Sequence, residues 1–177
     1  MTSQASPART STLVSILPGT TSVSRSVRNV GLALAGSALL ALSAKIQVPF
    51  WPVPMTMQTF AVIVLAMAFG ARLGAATVAL YLLEGAVGLP VFAGTPEKGI
   101  GLAYMMGPTG GYLAGFLVAA GLAGWMAERG WDRSFLKATA VNALATAVIF
   151  TGGLAGLAVL VGPAKAGAVG LTPFLAA

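Results

Sequence analysis

Long apolar runs, interrupted at a few points by prolines, glycines and charges, dominate the chain. Reading between those interruptions predicts helices over about residues 27–45, 56–70, 74–89, 110–127 and 135–161. A membrane-spanning helix takes roughly 20 apolar residues. The last apolar stretch, 167–177, is too short to cross alone. The pattern predicts an all-α integral membrane protein, a compact bundle of about six transmembrane helices with the sixth short or truncated.

Composition agrees with lipid as the solvent. The chain is 57% hydrophobic and only 8% charged, against roughly 25% charged residues in soluble domains, and its mean hydropathy is +0.89. Its 23 glycines suit helices that pack closely in a bilayer. With no Cys and no His, disulfide frameworks, thiol nucleophiles, histidine bases and the usual zinc and haem ligands are excluded. Neither a catalytic constellation, a metal site nor a cofactor is expected. The net charge of +6 does not point to nucleic acid, because the basic residues are scattered and have no polar face to occupy.

Basic residues in short loops set the orientation. With the N-terminus in the cytoplasm, Arg25, Arg28, Arg72, Arg129, Arg133 and Lys137 fall inside, and Lys45, Lys98 and Lys165 outside. Residues 1–26, rich in Ser and Thr and free of acids, read as a disordered cytoplasmic tail, although a transit peptide shares that composition. Residues 27–177 read as one transmembrane domain.

Polar groups inside lipid are costly, so each invites a functional reading. In "VPFWPVPMTMQTF" (48–60), Pro54 fixes the start of the second helix. Its free N–H groups and Thr56 and Gln58 then face outward at the positive dipole end. That suits a small ligand carrying an acidic or carbonyl group; the alternative is that Gln58 bonds a neighbouring helix. Tyr81 and Glu84 share one helix face, turned either to a cavity or, for Glu84, to Lys45 across the helix ends. In "MGPTGGYLAGF" (106–116), Thr109 is placed to cap a helix. Gly111, Gly115 and Tyr112 either let backbone approach a ligand or form a capped turn with an interfacial tyrosine. Asn142 is expected to face the bundle, as an interhelical bond or a site residue. The apolar connector 90–106 is expected to fold over the helix ends as a lid. Ala33, Ser37 and Ala41 form a small-residue strip at four-residue spacing, for an internal contact or a partner subunit.

Taken together, "AKIQVPFWPVPMTMQTF", "GARLG", "YLLEGAVGLPVFAGTPEKGIG" and "GPTGGYLAGF" resemble, in order, the BioY family of biotin-binding S components of energy-coupling-factor transporters. The resemblance runs over about residues 34–116 and continues weakly to "TPFL" (172–175). It implies a six-helix membrane subunit, in the cell membrane, that captures biotin from outside. Its implied partners are a transmembrane coupling subunit, met through the strip at Ala33, Ser37 and Ala41, and two ATP-hydrolysing subunits. The implied biotin contacts are Gln58, Tyr81, Glu84, Thr109, Gly111, Tyr112 and Asn142, making 27–177 a substrate-binding domain. The family pattern continues after "PFL" with an acid and a lysine on a full sixth helix, so a truncated chain lacking those contacts is expected. A different vitamin, a stand-alone facilitator, an intramembrane enzyme and a purely structural partner are the competing readings. The motif order argues against the first, and the chain lacks the inverted halves and charge relay of the second.

The orientation has a direct check. Cysteines replacing Arg9 and Lys98 should react with an impermeant reagent from opposite sides of the membrane, Lys98→Cys from outside. Labelling of both from outside would reverse the topology.

Overall fold

The structure, a computed structural model of the chain, describes residues 22–48, 54–97 and 99–162. Helix α1 (Ser22–Lys45) leads into a two-stranded antiparallel ribbon, β1 (Gln47–Val48) with β2 (Met55–Thr56), in which Gln47 faces Thr56. The ribbon brackets the proline connector. Helices α2 (Gln58–Phe69) and α3 (Ala71–Ala86) follow, then the short α4 (Gly101–Met105) within the connector expected as a lid. The chain continues through α5 (Gly110–Ala127), a 3-10 turn (Trp131–Arg133) and α6 (Phe135–Val161). The first helix starts at Ser22 rather than at residue 27, so residues 22–26 belong to α1. Residues 1–21 and the expected sixth segment, 167–177, lie outside the described residues.

Among the described residues, three helices are long and apolar enough to cross a membrane: Ser24–Lys45, Gly110–Ala127 and Phe135–Leu160. At 12 and 16 residues, α2 and α3 fall short of the working range of about 17–25. They are joined by Gly70 alone, at φ 82° and ψ 174°, a conformation open to glycine and little else. Just beyond this corner the chain folds back on itself so tightly that a Cβ on Gly74 would lie 2.9 Å from the Ala66 Cα.

Helix α5 is the hub, packed against α2, α3 and α6. Lipid tails are as apolar as the side chains, so helices in a bilayer associate through close packing rather than hydrophobic expulsion. The hub is built accordingly, with Ala119, Ala120 and Ala123 fully buried. Gly111 and Gly115 lie against Gly152, Gly156 and Ile149 of α6 at backbone contact. Gly124 does the same for the corner between α2 and α3, where a Cβ would come within 2.5 Å of Gly70 C and Ala71 N.

At that end of the bundle, Glu128 Oε1 accepts the Ala71 backbone N–H at 2.9 Å. It thereby satisfies a donor that the start of α3 leaves open. Arg129 stacks its guanidinium 3.4 Å from the Trp125 ring centroid, a cation–π contact. Arg72, Arg129, Arg133 and Lys137 all sit on loops or first turns at this end, while Lys45 ends α1 at the other, beside the connector; Lys98 and Lys165 lie outside the described residues.

Two substitutions test this corner. Glu128→Ala should cost about 0.5–2 kcal/mol, the usual worth of a helix cap, and Glu128→Gln should recover most of the lost melting temperature. Gly124→Val should cost about 1–3 kcal/mol through overpacking. Unchanged melting in both Glu128→Ala and Gly124→Val would mean that the corner contributes nothing to holding the bundle.

Candidate ligand-binding site

Gln58 opens α2 at the connector end and is only 3% exposed. Its backbone N–H reaches Thr56 Oγ1 at 3.4 Å. Among the described residues its Nε2 is buried with no hydrogen-bond partner. The carboxamide lies beside the Tyr81 hydroxyl. That hydroxyl donates to Val91 O at 3.2 Å and turns toward the amide only as an acceptor, but Nε2 does not reach it in normal hydrogen-bond geometry. A buried donor left open costs about 1–3 kcal/mol, so a ligand oxygen placed here would be held firmly.

The connector closes over this point, as the sequence predicted. Phe92 is fully buried, meeting the Tyr81 ring edge-on at 5.4 Å and stacking on Tyr104 at 5.1 Å. Gly85 makes the room, because a Cβ there would lie 1.9 Å from the Phe92 ring. Tyr104 donates its hydroxyl to Ala93 O at 2.6 Å. Burial raises that hydroxyl above the ordinary phenol range, with a hydrogen bond to Thr109 acting in opposition, so it stays a donor at neutral pH. Lys45 Nζ donates to Phe92 O at 3.1 Å, to Thr95 O at 3.2 Å and to Thr95 Oγ1 at 3.1 Å. Three helices therefore grip the backbone of the lid: α1 through Lys45, α3 through Tyr81 and α4 through Tyr104.

The structure brings Gln58 and Tyr81 together beneath the lid and distributes the other expected residues differently. Glu84 does not pair with Lys45; it accepts from Ser37 Oγ on α1. Thr109 makes no side-chain cap for α5 and lies beside the Tyr104 hydroxyl, which keeps it at the lid. Gly111 serves the contact with α6, where its Cβ would lie 2.3 Å from Gly152 O. Tyr112 also faces α6, edge-on to Phe150 at 6.0 Å and flat against Gly153. Asn142 bonds back to Ala138 O of its own helix at 3.3 Å, in the half of α6 near the basic end, away from the lid. Of the small-residue strip, Ser37 is fully buried and held by Glu84, and Ala41 packs on the core. Ser37 itself is thus an internal contact, while Ala33 and Ala41 are half-buried.

Sequence reasoning passed over Lys45 as a lid anchor, Phe92 and Tyr104. Two of them carry a signal in hindsight. Phe92 and Tyr104 are the only aromatics of the connector 90–106, and large rings in a loop folded over apolar helix ends have nowhere to go but inward.

Residues 11–177 match the profile of the BioY family. The biotin transporter BioY of Thermotoga maritima is 43% identical over 108 residues, which are 61% of this chain and 62% of that protein. The match to it thus spans less than two thirds of that relative's length. The probable biotin transporter BioY of Pyrococcus horikoshii is 36% identical over 148 residues, 84% of this chain and 85% of that protein. A crystal structure of the S-component for biotin from an ECF-type ABC transporter superposes with a TM-score of 0.67 at 21% identity, covering 79% of this chain and 76% of that one. That likeness is one of fold, an all-helical membrane bundle. The profile match, supported by a relative aligned along most of both chains, places this chain in the BioY family.

Proposed function

We propose that the chain is the substrate-capture subunit of a biotin transporter, which binds biotin from outside and delivers it inward with an ATP-driven coupling module. It is not itself an enzyme. The observation that carries the site is the buried Gln58 carboxamide, whose Nε2 donors are open beneath the lid. Biotin brings a ureido ring that both donates and accepts, an apolar ring and a carboxylate tail. A carboxamide beside the Tyr81 hydroxyl, with the Phe92 and Tyr104 rings packed in series on Tyr81, suits the first two, and the names of the relatives support the choice of ligand. Gln58 and Tyr81 form the centre of the proposed site, with Glu84 and Thr109 beside it. Tyr112 and Gly111 support it through packing against α6, and Asn142 stands apart from it.

The proposed partners are a transmembrane coupling subunit and two ATP-hydrolysing subunits, assembled in the cell membrane. The exposed side of α1 is the better candidate for docking than the strip through Ser37. Gly31, Ala35 and Ala38 are exposed there, and a Cβ on Gly31 would meet nothing within 4 Å, so a second helix can come close.

Gln58→Leu separates a ligand contact from a structural one. Loss of one good hydrogen bond costs roughly 1–3 kcal/mol, or about tenfold to a hundredfold in biotin affinity. The ligand-free protein should melt at the same temperature or higher, because an unpaired buried amide has been removed. Tyr112→Phe should leave affinity within twofold. Unchanged biotin affinity in Gln58→Leu would place the site elsewhere. For the docking face, Ala35→Trp should block assembly with the coupling subunit and spare biotin binding; intact assembly would exclude that face.

A further inference from the structure

We propose that Lys45 selects for an anionic ligand: its ammonium latches the lid in the closed state, and the carboxylate of an incoming ligand takes over that ammonium as the lid moves. This deepens the biotin reading and rests on it.

Lys45 occupies the last position of α1, at the lidded end. An ammonium has three donors, and here they reach Phe92 O, Thr95 O and Thr95 Oγ1. None of these acceptors carries a charge. Of the nearby carboxylates, Glu84 is engaged by Ser37, and Glu97, two residues beyond Thr95, is exposed to solvent and makes no ion pair with Lys45 among the described residues. A cation at the mouth is therefore satisfied in hydrogen bonds but not in charge.

The grip also falls on the residue that plugs the site. Phe92 O is one of the acceptors, and the Phe92 ring fills the notch at Gly85 and leans on Tyr81, the neighbour of Gln58. Admitting a ligand to Gln58 means displacing Phe92, and a lid that moves with Phe92 takes from Lys45 the Phe92 O acceptor and loosens those on Thr95, three residues on. A charge-assisted hydrogen bond to a carboxylate is about twice as strong as one to a neutral oxygen, so an anionic ligand replaces what opening removes and a neutral one does not. The same geometry orients the ligand, with its ring system at Gln58 and its carboxylate toward the mouth at Lys45.

The experiment titrates the full chain with biotin and with biotin amide, in which the carboxylate is a neutral carboxamide. Wild-type protein should bind the acid at least tenfold more tightly than the amide. Lys45→Gln should bring the two within twofold, chiefly by weakening the acid, and Lys45→Arg should keep the preference. Equal wild-type affinities overturn the proposal at once, with no variant needing to fold. A tenfold preference surviving in Lys45→Gln overturns it as well. In both cases biotin still binds and the capture function stands, whereas binding of neither compound by wild type overturns this inference and the biotin reading together.

Discussion

Hydrocarbon offers no hydrogen bonds, so a polar group within the bilayer must find its partner inside the protein. The polar side chains of this bundle obey that constraint by short routes. Thr77 and Ser43 bond back to Leu73 O and Leu40 O of their own helices at 2.8 Å, and Asn142 does the same toward Ala138. Ser37 and Glu84 satisfy each other between α1 and α3. Glu128 closes the start of α3 from the far side of α5. Against that background the open Nε2 of Gln58 is an exception in a place where exceptions are costly, and it marks the spot where an outside molecule would complete the network.

The packing explains how that amide is held in position. Helices α2 and α3 are too short to be anchored by lipid alone, and they turn at the single residue Gly70. Their placement depends on backbone-close contact with α5, through Gly124 at the corner and through the alanines above it. Tyr81 descends from α3 next to Gln58, and the lid is then fastened through its own backbone carbonyls. Most of these fastenings end on backbone carbonyls of the lid.

Much of this was legible in the chain. The two helices bounded by strong punctuation were read to the residue: α5 begins after the Pro108 turn and α6 after the Trp131–Arg133 turn. Gln58 stood out because a lone carboxamide follows a rigid proline segment. What the chain does not encode is which helix lies opposite. Periodicity groups Ala33, Ser37 and Ala41 on one face and Gly31, Ala35 and Ala38 on another, but only the fold shows that the first faces α3. Glu84 shares a face with Tyr81, yet its partner depends on the relative height of α1, which sequence spacing does not encode. Gly111 looked like a backbone cradle for a ligand because the matching glycines of α6, some forty residues on, could not be paired with it in advance. The lid was foreseen from its composition; its fastenings, long-range bonds to carbonyls, leave no local pattern.

The central claim is that the Gln58 carboxamide waits for a ligand oxygen, and its own nuclear magnetic resonance signal reports on that directly. The chain contains only three glutamines, Gln4, Gln47 and Gln58, so glutamine-selective nitrogen-15 labelling gives a sparse spectrum, with Gln58 assigned by its loss in Gln58→Leu. On addition of biotin, the Gln58 side-chain NH2 should shift downfield and exchange more slowly while those of Gln4 and Gln47 stay in place. A saturating concentration of biotin that binds and leaves the Gln58 signal unmoved would contradict the account.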